Sequence, residues 1–281
     1  MMTRQAIDAV VTMALAEDAP WGDITSEVFI PAQATATASL VARVPGVFSG
    51  GQVFTATFDA VGASAALRVT DGARFEPGNV LATVTGNARA ILRGERVALN
   101  LVQRMSAIAT ITSSYVALVA GTRARIVDTR KTVPGLRVLD RHAVVTGGGH
   151  NHRFSLSDTV LAKDNHLAVL TASGLSVTDA IRQVRETIGH TTHLEVEVDR
   201  LDQIGAVLAG GVDTIMLDNF TLDELRAGVA LVAGRALVEA SGNVNLSTVA
   251  DIATTGVDII SVGALTHSVI ALDLGLDIDL S

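Results

Sequence analysis

Six short aliphatic runs, each followed by a stretch with apolar residues at helical spacing, fill the chain from about residue 125 onward. The runs are RIVDTR (125–130), TVLAKD (159–164), HLEVEV (193–198), DTIMLD (213–218), ALVEAS (236–241) and DIISVG (258–263). Between them lie SVTDAIRQVRETIG, RLDQIGAVLAGG, TLDELRAGVALVAG and NLSTVADIATTG, most closed by glycine, as helices returning to a sheet commonly are. Such alternation demands parallel strands joined by right-handed crossovers, in an open doubly wound sheet or a barrel. The last three runs begin at 213, 236 and 258, a spacing that leaves room for little beyond a minimal β/α unit and so favours a barrel. Six strands in place of eight make the closure incomplete or smaller than the standard eight-fold case. The side chains suit it: 48% are hydrophobic but only 3% aromatic, so Ala, Val, Leu and Ile pack the interior.

The first hundred residues follow another pattern. ATASLVARVPGVFSGGQVF and ALRVTDGARFEPGNVLATVTG alternate and turn at Pro and Gly, as antiparallel strands do. A long helical stretch, AILRGERVALNLVQRMSAIATITSSYVALVAG, leads into the β/α region. The expected fold is an α/β protein with an N-terminal α+β sandwich domain and an incomplete, six- to seven-stranded α/β barrel. The domain boundaries expected are 1–106 for the sandwich, 107–267 for the barrel and 268–281 rejoining the first domain.

Composition excludes several classes. The formal charge of −8 argues against a nucleic-acid surface, which needs a basic face. No apolar run reaches the roughly 18–20 residues of a membrane span, the N-terminus has no signal-peptide pattern, and cysteine is absent. A cytoplasmic enzyme without disulfides is expected.

In β/α folds ligands lie beyond the carboxyl ends of the strands. Arg130 and Lys131 follow the first run, Lys163 ends the second, Glu197 the third, Asp218 the fourth, Ser241 and Gly242 the fifth and Gly263 the sixth. Glu197 and Asp218 are hard oxygen donors suited to Mg²⁺ with substrate phosphates. Arg130, Lys131, Arg153 and Lys163 supply charge for an anion, arginine through paired hydrogen bonds. Glu195 shares a strand face with Glu197, which the cost of burying charge directs to the barrel interior. His150 and His152, at i, i+2 without a third identifiable ligand, make a poor zinc site. Together these residues ask for a metal and a polyanion such as a phosphorylated sugar diphosphate.

DTRKTVPGLR, GGGHNHR, LAKDNH, EVEV, MLDNF, EASGN and VGALTHS, in this order, with EDAPWGDIT and GERVALNLVQRMSAIAT upstream, resemble the quinolinate phosphoribosyltransferase family along nearly the whole chain. The resemblance implies a sandwich domain with an incomplete barrel and transfer of phosphoribosyl from phosphoribosyl diphosphate to quinolinate. Loss of the 2-carboxylate then gives nicotinate mononucleotide, CO₂ and diphosphate, within NAD biosynthesis. It also implies residue roles. Arg130, His152, Arg153 and Lys163 would surround the acid, with Lys131 on the diphosphate side and Thr129 a further substrate-binding residue. Glu197 and Asp218 would hold Mg²⁺-bound phosphoribosyl diphosphate, and Ser241, Gly242, Gly263 and His267 the 5-phosphate. Lys131, Lys163, Glu197 and Asp218 are the catalytic candidates. Arg96 would enter the neighbouring active site of a homodimer. One departure stands out: many relatives read SGG where this chain has Asn243, which puts a glycine-specific backbone geometry there in question. The rival readings are a molybdate-transport-associated paralogue, a nicotinate phosphoribosyltransferase and a non-catalytic binder of quinolinate or a sugar phosphate.

Overall fold

In the computed structural model, which describes residues 2–172 and 174–279, the strands in chain order are β1 (Thr35–Ala42), β2 (Gly46–Val47), β3 (Ser64–Leu67), β4 (Arg74–Phe75), β5 (Val80–Asn87), β6 (Arg125–Val127), β7 (Val160–Ala162), β8 (Leu194–Val198), β9 (Thr214–Asp218), β10 (Leu237–Ser241), β11 (Ile259–Ser261) and β12 (Leu274–Asp279). The chain divides into two compact units. One comprises Met1–Ser113, Thr132–Gly148 and Leu265–Ser281, the other Ser114–Lys131 and Gly149–Ala264.

The first unit is built on an antiparallel sheet in the order β12-β1-β5-β3. Its central strand TATASLVA buries every second residue, the period-two signature of a sheet with one covered face. Leu40 pairs with Ala82 on one side and Leu276 on the other. Phe48, Phe54, Phe58, Leu81, Ile91 and Val102 complete the core over this face, and Phe54 and Phe58 meet edge to face at 4.9 Å.

The division at 106/107 falls inside one continuous helix, Ala88–Leu118, and the units part at Ser113 instead. The segment Thr132–Gly148, expected within the barrel domain, belongs to the first unit. Its helix, Arg137–Thr146, buries Leu139, Ala143 and Val144. Asp140 of that helix takes both hydrogen bonds of the Arg104 guanidinium, at 2.8 and 2.7 Å, and His142 Nε2 lies 2.7 Å from Asp71. These polar ties, invisible in the local pattern, draw the segment across.

The second unit is a six-stranded parallel sheet in the order β6-β11-β10-β9-β8-β7. Consecutive strands pair from β7 to β11 and β6 pairs with β11, so β6 and β7 form the two edges and the barrel is open between them. The edge of β6 is partly covered. His150 N donates to Ile126 O at 2.8 Å and Asp128 N to His150 O at 3.1 Å, making a single parallel bridge between Val127 and His150. Strands β8, β9 and β10 are buried almost throughout, as parallel strands covered on both faces must be. Among the described residues no helix is long and apolar enough to cross a membrane.

Candidate active site

The carboxyl ends of β8 and β9 bring Glu197 and Asp218 to one cavity of about 430 Å³, shared with Asp164, Asp199 and Asn219. Glu197 Oε2 is 2.6 Å from Lys163 Nζ, and Asp218 accepts from Asn219 Nδ2 at 2.7 Å. Lys163 ends up here because it is the N-cap of the helix Asp164–Thr171 that follows β7.

A second cavity, of about 460 Å³, has cations on one side and an apolar wall on the other. Arg130, Arg153, Lys163 and His166 line it with Leu161, Leu167, Ile181 and Val196. Arg130 lies in the loop beyond the last residue of β6, not on the strand. Burial, and next the positive charge of Arg130, push Arg153 below its ordinary value. Two guanidinium groups so close together form a place for an anion.

Beneath these cations His152 Nε2 stands 3.2 Å from Glu195 and 3.4 Å from Glu239. Both glutamates are almost fully buried, and the second carboxyl oxygen of each has no hydrogen-bond partner among the described residues. The ring's other nitrogen, Nδ1, accepts from Arg153 N at 2.7 Å, while His152 N donates to the buried Asp128 at 2.8 Å. Two influences on His152 disagree. Burial, the largest, disfavours its charged form, yet the bonds and charges of Glu195 and Glu239 outweigh it and push the group up to about 10. The Arg153 amide decides the matter, because an N–H aimed at Nδ1 requires that nitrogen to be bare. The ring proton is therefore on Nε2. Burial, together with the charge of Glu239, pushes Glu195 upward against the opposing bond from His152.

The loop after β10 is shaped by Gly242, at φ 88°, and Asn243, at φ 54°. A Cβ on Gly242 would fall 2.1 Å from Asn219 Oδ1, so glycine is needed there. Asn243 adopts the left-handed region that asparagine tolerates best after glycine, and its Nδ2 donates to Asn219 Oδ1 at 3.1 Å. The departure from SGG thus keeps a glycine-like backbone and adds a tie to the loop after β9.

Of the residues singled out by sequence, the second unit gathers Arg130, Arg153, Lys163, Glu197 and Asp218 around the two cavities, and places Ser241 and Gly242 beside Asn219. Thr129 Oγ1 accepts from the backbone of the exposed Lys131 at 3.1 Å, and Gly263 follows β11. Arg96, exposed on the long helix, and His267, with Nδ1 2.5 Å from Ser268 Oγ, belong to the first unit. Sequence reasoning missed Asp128, Asn219 and Glu239. The signal for Glu239 was there: it stands to Ser241 on β10 as Glu195 stands to Glu197 on β8.

Residues 108–277 match the quinolinate phosphoribosyl transferase C-terminal domain and residues 23–106 the N-terminal domain. A nicotinate-nucleotide pyrophosphorylase (carboxylating) of Mycobacterium leprae is 46% identical over 276 residues, covering 95% of each chain. A probable enzyme of the same name from Bacillus subtilis is 40% identical, covering 94% of this chain and 91% of the relative. The crystal structure of NadC from Streptococcus pyogenes superposes with a TM-score of 0.93 at 37% identity, over 99% of this chain and 98% of that one. With both domains matched along the chain, this protein belongs to the quinolinate phosphoribosyltransferase family.

Proposed function

We propose that the protein transfers phosphoribosyl from phosphoribosyl diphosphate to the ring nitrogen of quinolinate and releases CO₂, giving nicotinate mononucleotide and diphosphate for NAD biosynthesis. The observation that carries the chemistry is the 2.6 Å pair by which Lys163, in the lining of the cationic cavity, meets Glu197, in the lining of the carboxylate cavity.

Arg130, Arg153 and Lys163 hold the two carboxylates of the acid. A single-carboxylate pyridine leaves part of that buried charge unmatched, which disfavours nicotinate. The ring nitrogen attacks the anomeric carbon as its bond to diphosphate breaks, and the electron pair of that bond leaves with the diphosphate. Glu197 and Asp218 face the positive charge that develops on the ribose and stabilise it. The nitrogen of the adduct, now a pyridinium, draws in the electron pair left at C2 when the adjacent carboxylate departs as CO₂, and that carbon then takes a proton. Lys163 is placed to move between Glu197 and the substrate carboxylate.

The donor set fits Mg²⁺: two carboxylates, oxygen only, at the rim of a cavity with space for phosphate oxygens and water. Glu197 and Asp218 would hold the ion, which supplies neutralisation of the leaving diphosphate. Lys131 serves the diphosphate side. Thr129 lines the acid subsite, and Ser241, Gly242, Gly263 and His267 receive the 5-phosphate. The enzyme acts in the cytoplasm as a homodimer in which Arg96 completes the neighbouring site. Within this reading the catalytic barrel domain is the segment 107–267.

Incubating the protein with phosphoribosyl diphosphate, Mg²⁺ and quinolinate is expected to yield CO₂ and nicotinate mononucleotide in equal amounts, with nicotinate a poor replacement. Absence of CO₂, or equal turnover of both acids, overturns the reading. Recovery of activity on mixing Arg96→Ala with Lys131→Ala tests the shared site; no recovery after confirmed subunit exchange counts against it.

A further inference from the structure

We infer that Asp128, Glu195 and Glu239 are positioning residues for the acid subsite, acting through His152 to fix the backbone that carries Arg153. This rests on the reading of Arg153 as a grip on the acid.

The geometry forms an unbroken chain. Asp128, fully buried just past β6, accepts the His152 amide at 2.8 Å. The His152 ring spans the interior to carboxylates on β8 and β10, at 3.2 and 3.4 Å. Its Nδ1 then takes the Arg153 amide at 2.7 Å. The segment is thus held by three strands of the sheet although it contributes only one bridge of its own, at the edge where the barrel is open. These ties act beside that bridge and the contact of Arg153 Nη1 with Thr159 O, and without them residues 150–153 at this open edge would be held less firmly. Arg153 would then adopt several positions, and an ionic grip depends on a fixed one.

Both ring nitrogens of His152 are occupied by protein groups, so the residue does not offer one to the substrate. Its role is transmitted through Arg153. This differs from the direct acid contact that the family resemblance implies.

His152, Glu195 and Glu239 also bring one potential ligand atom each within 4.8 Å of one another, the reach of a metal site. The tautomer opposes it. A histidine bound through Nε2 keeps its proton on Nδ1 and donates it, whereas here Nδ1 faces an N–H donor. The orphan oxygens of the two glutamates instead leave the pair with acceptor capacity beyond the single Nε2–H, as a bifurcated grip on one ring does.

Steady-state kinetics on the intact enzyme test this. Glu239→Ala is expected to raise the KM for quinolinate about tenfold, the size of losing one charge-assisted hydrogen bond. The KM for phosphoribosyl diphosphate and kcat should stay within about twofold of the parent. Glu239→Gln, which keeps an acceptor, should recover most of the loss. Asp128→Ala, which removes the acceptor just past β6, should reproduce the acid-selective effect and stands in if Glu239→Ala does not fold. Nitrogen-15 NMR of the His152 ring at neutral pH should show the Nε2–H tautomer. Equal losses for both substrates, or none in either variant, overturn the inference. So does stoichiometric Mn²⁺ or Zn²⁺ binding that Glu239→Ala abolishes and Asp218→Asn does not. Arg153→Ala separates the two levels: if it spares quinolinate binding, the subsite reading fails, and if it alone impairs that binding, only the positioning role fails.

Discussion

Two groups of buried charge, one in each unit, are finished differently. In the first unit Asp140 is fully buried, yet both its oxygens are taken by Arg104, which also reaches Thr266 O at 2.8 Å. In the second, Glu195 and Glu239 share one imidazole and each keeps an oxygen without a partner. Full complementation turns a buried charge into scaffolding, because its desolvation is offset by paired, charge-assisted bonds. Incomplete complementation leaves electrostatic demand standing, and the charge of Glu195 is felt at Arg153. The contrast separates a buried charge closed off by its partner from a buried pair that keeps acceptor capacity.

The largest expected effect is on the complete pair. Arg104→Ala strands Asp140 in the core and should cost about 3–5 kcal/mol, measured by denaturant unfolding, while specific activity per folded molecule is retained. A loss below about 1 kcal/mol would mean the pair is not the scaffold described.

Arg153→Ala should do the opposite. Its stability should change little, but quinolinate binding in calorimetry should weaken by about 10- to 100-fold, with phosphoribosyl diphosphate binding far less affected. Equal losses for both ligands would contradict the assignment.

Asp71 is an intermediate case, with side-chain and backbone donors together. Burial, the largest influence, pushes its carboxyl up, but the bonds from His142, Gly51 and Gly50 outweigh it and leave the group below its ordinary value of 3.8. A carboxyl lowered by folding stabilises the native state above its unfolded value, and that contribution fades as the pH falls through the folded one. Asp71→Asn should therefore cost about 1–3 kcal/mol at neutral pH and show a shallower stability decline below pH 3.8 than the parent. Parallel acid profiles would refute the assignment.

The smallest effect concerns Asn243. Replacing it with alanine forces a less tolerant residue into φ 54° at about 1 kcal/mol, whereas Asn243→Gly should be near neutral in thermal unfolding. If glycine proves as costly as alanine, the contact with Asn219, not the backbone, dominates.

Much of the second unit was legible residue by residue. Runs such as TIMLD and LVEAS carry the apolar signature of buried parallel strands, and the count of six with minimal spacing pointed to an open barrel. Glu197 and Asp218 were readable because strand ends are set by local pattern. The grouping of Thr132–Gly148 with the first unit was not legible for the opposite reason: it goes with Asp140 meeting Arg104 and His142 meeting Asp71, partners far away in the chain. Asp128 and Glu239 were passed over because one acidic residue in a strand looks the same whether it caps a helix, faces solvent or braces a histidine.

By itself, then, the sequence determined the order and direction of the strands and the chemical types that gather at their ends, because side-chain periodicity and turn chemistry act over a few residues. Only the tertiary structure decided which acidic groups are fully paired and which are left short, and how His152 connects β8 and β10 to the backbone of Arg153. Those outcomes depend on contacts between strands remote in the chain, where burial makes every missing partner count.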